Sequence, residues 1–370
     1  MKITYLFVNG RIDRINKINN FAKEMFYGYD HFSKKYETSI IELQTQNKIF
    51  NKIFYFVDRV VNKLTKLPFN MNSISSKKNL DHFFNSDHII ASNDRVALSS
   101  LPMLLVCKIL RKKVKFSFFI MGLFDYRNRT FLQKKIAKLL IILLIRNSNN
   151  LIFLGIKEYE IASENFNKYK NKFHYLPFMV DTKFWQSKKV GVEKRNILFV
   201  GNDTNREFKK VIKIASILKD IKFIIVSKHY RINNIDVNLP NVEIIDGSWG
   251  NQRLTDDELK DLYNKSKLVI IPLKESVQPS GQSVTLQSMA MSTPVMITKT
   301  DGFWDNNEFN HLENIYFIEN NSLDNWVRSI NEIYYDNKIL ENLSTNGIKV
   351  INNKYKSEYF IEKLENILEI

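Results

Sequence analysis

The stretch Gln278 to Thr298, QPSGQSVTLQSMAMSTPVMIT, decides the fold, because it joins a small-residue loop, a helix and a buried strand in one short unit. The apolar run Leu268 to Pro272 (LVIIP) enters it as a strand. A loop with Ser280, Gly281 and Ser283 follows, then a helix whose apolar positions are Val284, Leu286, Met289 and Ala290, then the strand Val295 to Thr298. Strand, glycine loop and helix N-terminus together make an anion site. Backbone N–H groups and the positive end of the helix dipole face the ligand, and Gly281 allows close approach. An ordinary strand-to-helix turn with Ser283 as N-cap satisfies the same local pattern, so the surroundings must decide.

On the N-terminal side of this unit, Gln186 to Arg195 (QSKKVGVEKR) is polar and without period, as a linker is. After it come the strand Ile197 to Val200, the helix Glu207 to Leu218, the strands Lys222 to Val226 and Val242 to Ile245, and the helix Asp256 to Asn264. Beyond Phe303 the pattern is mostly helical and finishes with Lys354 to Ile370. Before the linker, strands at Ile3 to Val8, Tyr36 to Leu43, Asp87 to Ala91, Val114 to Ile120, Asn150 to Leu154 and near His174 alternate with helical segments. Those helices are Ile18 to Lys34, Ile49 to Leu67, one running through Leu110, Phe131 to Arg146, and Lys157 to Phe166. Such alternation predicts an α/β chain of two Rossmann-like domains facing each other across a cleft, with ligands outside the carboxyl ends of the strands. The expected divisions are 1–186, 187–353, and a C-terminal helix, 354–370, that packs back on the first domain.

At 370 residues and 44% apolar, the chain can build two cores of ordinary size. A single cysteine, Cys107, in an apolar helical setting argues against a disulfide framework or zinc site and for a reducing compartment. MKITYLFVNG reads as a short strand entering a glycine turn rather than a signal peptide, and the longest apolar run, Leu139 to Ile145, is too short to span a bilayer. A cytoplasmic protein, free or peripheral on the inner face of a membrane, is expected. The net charge of +16 is unevenly spread: residues 1 to 195 hold 35 Lys+Arg against 15 Asp+Glu, residues 196 to 370 hold 20 against 24. The first half therefore suits something anionic, whether a phospholipid surface, a phosphate-bearing acceptor or a nucleic acid. Compositional drift toward lysine would explain the cations but not their absence from the second half.

The stretch 278–298 resembles the signature of retaining GT-B glycosyltransferases of the group 1, or family 4, type. Members carry a Glu-x7-Glu element whose helix reads like EAMA, followed by a small residue and PVI. Here the corresponding residues are Gln287, Ser288, Met289 and Ala290, then Ser292, Thr293, Pro294 and Val295. Gln287 stands where the second glutamate is expected and Pro279 where the first would be, while Glu275 is the nearest upstream acid at a different spacing. The resemblance implies a nucleotide-diphosphate sugar as donor substrate, no separate cofactor, and transfer with retention to a glycan or lipid-linked acceptor. The setting it implies is surface polysaccharide biosynthesis, such as lipopolysaccharide, O-antigen or capsule.

The donor side begins at Gly201, which follows the first strand of the second domain, with Asn202 and Arg206 before its first helix. Arg206 can give two charge-assisted hydrogen bonds to phosphate, each worth roughly 1.5–3 kcal/mol. The resembling family places glycine, arginine and lysine here. Asn202 replaces that arginine, leaving Arg206 with Lys209 or Lys210 to act. Ser280, Gly281, Gln282 and Ser283 would complete the diphosphate cradle, and Gln287 could hydrogen-bond the ribose as the family glutamate does. Asp305, in the Asp301 to Asp305 loop, is a candidate for contact with the transferred sugar, whereas Trp304 reads as packing.

On the acceptor side, Gly10 and Arg11 follow the first strand, and Asn93, Asp94 and Arg95 follow the third. Asp94 could activate an acceptor hydroxyl with Arg95 as its partner or as a phosphate contact, or Ser92 to Asp94 could simply cap a helix. Arg127, Arg129, Lys134, Lys135, Lys138 and Arg146 surround the apolar Phe131, Ile136, Leu139 and Leu140, which fits a membrane-surface helix or a buried amphipathic one. No metal-ligand spacing, Asp-x-Asp, Walker loop or Gly-x-Ser-x-Gly is present, so metal-independent group transfer is expected. The rivals are a nucleic-acid- or membrane-binding protein with a degenerate nucleotide domain, nucleic acid being the less favoured partner, and a GT-B sugar-nucleotide epimerase.

Overall fold

The computed structural model describes residues 1–43, 51–127, 129–187, 194–229, 238–248 and 254–370. Residues 188–193 of the expected linker and Ile49 and Phe50 of the expected helix Ile49 to Leu67 lie outside the described residues. The chain forms two compact units: Met1–Ile18, Met25–Leu176 and Ile361–Ile370 in the first, Asn19–Glu24 and Pro177–Phe360 in the second.

The first unit is built on six parallel strands: β1 (Lys2–Phe7), β2 (Glu37–Glu42), β3 (His88–Ala91), β4 (Lys115–Ile120), β5 (Asn150–Phe153) and β6 (Phe173–Tyr175), in the order β2-β1-β3-β4-β5-β6. Short continuous apolar runs make the central strands. All four residues of β3 are buried, as are five of six in β4, the pattern of a parallel sheet covered by helices on both faces. Register follows directly, with Ile3 opposite His88 and Ile89 opposite Phe116.

The second unit repeats the plan with β7 (Asn196–Val200), β8 (Phe223–Val226), β9 (Val242–Ile245), β10 (Ser266–Ile271), β11 (Val295–Thr298) and β12 (Tyr316–Ile318). Its order, β9-β8-β7-β10-β11-β12, is the doubly wound order of a dinucleotide-binding sheet. Its core gathers Phe199, Val211, Ile214, Phe223, Ile270 and Trp326, all at most 1% exposed.

One local expectation is corrected and one, that the region after Phe303 is mostly helical, holds with an addition. Ile18 to Lys34 is not one helix. Short 3₁₀ turns at Ile18–Asn20 and Glu24–Phe26 precede a helix at Tyr29–Lys35, because Tyr27 (φ 52°) and Gly28 (φ 82°) take left-handed conformations that end any right-handed run. The region after Phe303 also contains a strand, β12. Its three buried residues pair with β11 through Met296 opposite Tyr316, and so short a run carries no period for sequence to show.

Candidate functional site

In the second unit the strand order changes direction between β7 and β10, the point at which such sheets hold ligands. The loops leaving these two strands are stitched together. Glu207 N–H donates to the Pro272 carbonyl at 3.0 Å, and Lys274 N–H to the Asn205 carbonyl at 2.9 Å. Asn205 Nδ2 then spans the second loop, lying 2.8 Å from Ser280 Oγ, 3.1 Å from Gln278 Oε1 and 3.3 Å from Ser276 Oγ. Gly302 closes a third loop on this platform: its N–H donates to the Ser276 carbonyl at 2.7 Å, and a Cβ there would meet the Ser276 and Gln278 carbonyl oxygens at 2.5 Å.

Arg206 lies in the middle, only 6% exposed. Its stem rests on Gly201, where a Cβ would come within 2.6 Å of Cγ, and its Nη1 lies 3.2 Å from where a Cβ on Gly281 would stand. Two glycines thus make room for one guanidinium. Nε sits 3.0 Å from Asp203 Oδ2, and the buried Nη1 has no hydrogen-bond partner among the described residues. A buried cation with an unused donor is costly by itself and strongly favours an anion beside it. Gly281, at φ +90°, heads the helix Gln282–Ala290, which has no side-chain cap. Ser283 therefore sits inside the first turn rather than at the N-cap, with Ser280 and Gln282 buried beside it.

Other expected donor residues have partners within the protein. Asn202 ties adjacent loops, donating from Nδ2 to the Gly247 carbonyl (2.6 Å) and accepting from Lys228 N–H (2.8 Å). Lys210 holds Glu207 Oε2 (2.5 Å) and the Asn321 carbonyl (2.6 Å). Asp305 accepts from the Tyr355 hydroxyl at 2.9 Å and from Asn307 N–H at 3.1 Å. Gln287 is 7% exposed; its Oε1 accepts from the Tyr263 hydroxyl (3.1 Å) and its Nε2 donates to Glu24 (2.8 Å). Glu24 Oε1 also accepts from Trp185 Nε1 at 2.7 Å. Burial pushes the Glu24 carboxyl up to about 7, opposed by the Gln287 and Trp185 hydrogen bonds. Burial raises the Tyr263 phenol too, with the Arg206 charge pulling the other way.

The first unit has its own reversal, between β1 and β3. After β1, Gly10 (φ +90°) heads the short helix Arg11–Ile15, and Glu42 Oε1 accepts from both the Arg11 and Ile12 N–H groups. After β3, Asn93 caps the helix Asp94–Ile109 by accepting from Val96 N–H at 2.9 Å, while Arg95 is exposed. Asp94 is buried, and burial raises its carboxyl against hydrogen bonds and the Arg129 charge. Arg129 is half-buried, 5.1 Å from the Tyr126 ring centre, and its Nη1 has no hydrogen-bond partner among the described residues. Beneath these groups Glu158, fully buried, accepts from Gly122 N–H (2.9 and 3.0 Å) and Phe124 N–H (2.9 Å). Burial, with Asp94 adding to it, carries the Glu158 carboxyl up to about 8.

Residues 194–336 match the family model described as glycosyl transferases group 1. The match takes in Gly201, Arg206, the 276–283 loop and Gln287. No curated protein sequence matches the chain. Among solved structures, the chain is similar to HepE from Anabaena in complex with UDP, at 11% identity over 100% of both chains, with a TM-score of 0.63. It is similar to sucrose-phosphate synthase from Thermosynechococcus elongatus at 12% identity, covering 100% of this chain and 98% of that one, TM-score 0.70. A glycosyltransferase from Rickettsia africae gives 13% identity, 100% and 99% coverage, and a TM-score of 0.65. At these identities the likeness is one of fold: the chain has the GT-B fold, two parallel six-stranded sheets with helices.

Within residues 194–336, sequence reasoning missed Tyr263, and outside them Glu24, Glu158, Tyr126 and the part played by Arg129 in the Asp94 cluster. Glu158 stands three residues after Gly155 in a helix first turn, where an acid ordinarily serves the helix dipole in solvent. Glu24 carried one signal, an acid enclosed by apolar residues in FAKEMF.

Proposed function

We propose that the protein is a retaining glycosyltransferase that moves a sugar from a nucleotide-diphosphate sugar to a glycan or lipid-linked acceptor, without a metal ion, in surface polysaccharide biosynthesis on the cytoplasmic side of a membrane. The observation that carries the donor reading is the buried Arg206, wedged between Gly201 and Gly281 with Nη1 unused. The second unit supplies the leaving-group site: Arg206, the Ser280–Ser283 turn and the uncapped helix start meet the negative charge that grows on the diphosphate. As the sugar C1–O bond to phosphate breaks, the acceptor oxygen bonds to C1 on the same face, and its proton passes to the departing phosphate oxygen. Gly10, Arg11, Asn93, Asp94, Arg95 and Arg129 are the acceptor-side groups, Asp94 being the one suited to hold the hydroxyl. Asp305 remains the candidate for contact with the sugar.

UDP is the first nucleotide to try, because HepE was solved with UDP, with UDP-glucose and with UDP and glucose. A thermal-shift series over UDP-, GDP-, ADP- and CMP-sugars is expected to raise the melting temperature with one base. Activity undiminished by EDTA is expected with that donor. Stabilisation by none of the four would reject the reading.

A further inference from the structure

In the first unit, helix Asn51–Thr65 packs on helix Phe131–Arg146, and Gln133 Nε2 donates to the Lys63 carbonyl at 3.0 Å across the contact. Each helix leaves large apolar side chains in solvent. Ile53 is 72% exposed and Phe56 66%, while Phe131 is 73%, Leu132 63% and Leu139 68%. Spacing aligns them: 53, 56, 60 and 64 form one stripe on the first helix, and 132, 139 and 143 form one on the second. Isolated exposed apolar residues are ordinary, but two aligned stripes on packed helices are not.

Cations accompany the stripes. Lys52, Arg59 and Lys63 are exposed on the first helix, Lys134, Lys135 and Lys138 on the second, and Lys135 lies 4.5 Å from the Phe131 ring centre. The second helix has no acid, and the single acid of the first, Asp58, is turned inward to accept from Met71 and Asn72 N–H at 2.8 and 3.0 Å. The exposed sides of these two helices are thus apolar and cationic, with no acid of the helices among them. A soluble protein partner would ordinarily offer mixed charge. An anionic bilayer offers a plane of negative headgroups above hydrocarbon, matching both components. Among the described residues no helix is long and apolar enough to cross a membrane, so contact would be interfacial.

We infer that this two-helix face is an interfacial docking surface for an anionic phospholipid bilayer, with Ile53, Phe56, Leu132 and Leu139 entering the headgroup boundary and the lysines engaging phosphates. The test of this surface needs no donor or acceptor. The full-length protein would be sedimented with vesicles of phosphatidylglycerol and phosphatidylcholine in equal parts, and with phosphatidylcholine alone, across a salt series.

The wild type is expected to bind the mixed vesicles, and binding should fall as salt rises. Ile53→Ser/Phe56→Ser and Leu132→Ser/Leu139→Ser should each weaken binding about tenfold or more with unchanged circular dichroism, these sites being exposed. Lys134→Gln/Lys135→Gln/Lys138→Gln should weaken it on the order of 10²-fold and flatten the salt dependence. Equal binding to both vesicle types, or binding untouched by all three variants, overturns the inference. So does a concentration-dependent dimer that the serine variants dissolve while vesicles go unbound.

Discussion

The two sheet reversals of this molecule, alike in topology, are furnished with opposite charge. At the β7/β10 reversal the buried group is a cation, Arg206, seated between two glycines with a free donor. At the β1/β3 reversal the buried groups are carboxyls, Asp94 and Glu158, raised by burial and attended by Arg129. A permanent cation suits a fixed anion such as a diphosphate. A carboxyl raised toward neutrality suits a neutral partner whose proton must be held or moved. The overall charge of each half runs the other way, which separates what a site recognises from what a surface attracts.

The sharpest way to break this comparison is to remove the cation. Arg206→Met keeps the stem on Gly201 but no charge, and kcat/KM for the nucleotide sugar should fall about 10²-fold or more, as expected for two lost charge-assisted bonds. The melting temperature should hold or rise, since an incompletely paired buried charge is removed. Gly201→Ala tests the seat itself. Its Cβ would stand 2.6–2.8 Å from three Arg206 side-chain atoms, so the guanidinium should be displaced and donor KM raised about tenfold.

The carboxyl side is tested by pH. Glu158 holds its proton to about 8 when folded, against 4.5 as its ordinary value. Its contribution to stability is therefore full below about pH 4.5 and is lost as pH rises to about 8. Melting curves of Glu158→Gln should decline less over that window than the wild type's. Glu24, raised to about 7, gives the same sign between about 4.5 and 7, and Glu24→Gln should flatten that narrower range. The smallest effect is expected at Lys210. Lys210→Met should cost about 1 kcal/mol by loosening Glu207 and Asn321, with donor KM little changed.

Alternation of apolar runs made eleven of the twelve described strands legible in sequence, ten of them within two residues of their bounds and β6 by its place near His174, because a strand buried on both faces shows itself as a continuous run. β12, at three residues, is too short for that signal. The loop glycine at 281 was legible for a local reason: the left-handed backbone it takes is written in its own identity. What was illegible depends on contacts between residues far apart in sequence. Gln287 is engaged by Glu24, 263 positions earlier, and Glu158 by a turn 36 positions earlier. Lys210 and Asn202 read as ligand groups from charge and polarity alone, and only three-dimensional neighbours show which protein groups they also hold.

The central claim is that the second unit recognises a diphosphate through Arg206. Isothermal titration of UDP and of uridine against the wild type and Arg206→Met tests it most directly. UDP should bind the wild type on the order of 10²-fold more tightly than uridine, and the variant should lose most of that preference. UDP and uridine binding the wild type alike, or an undiminished preference in the variant, would contradict it.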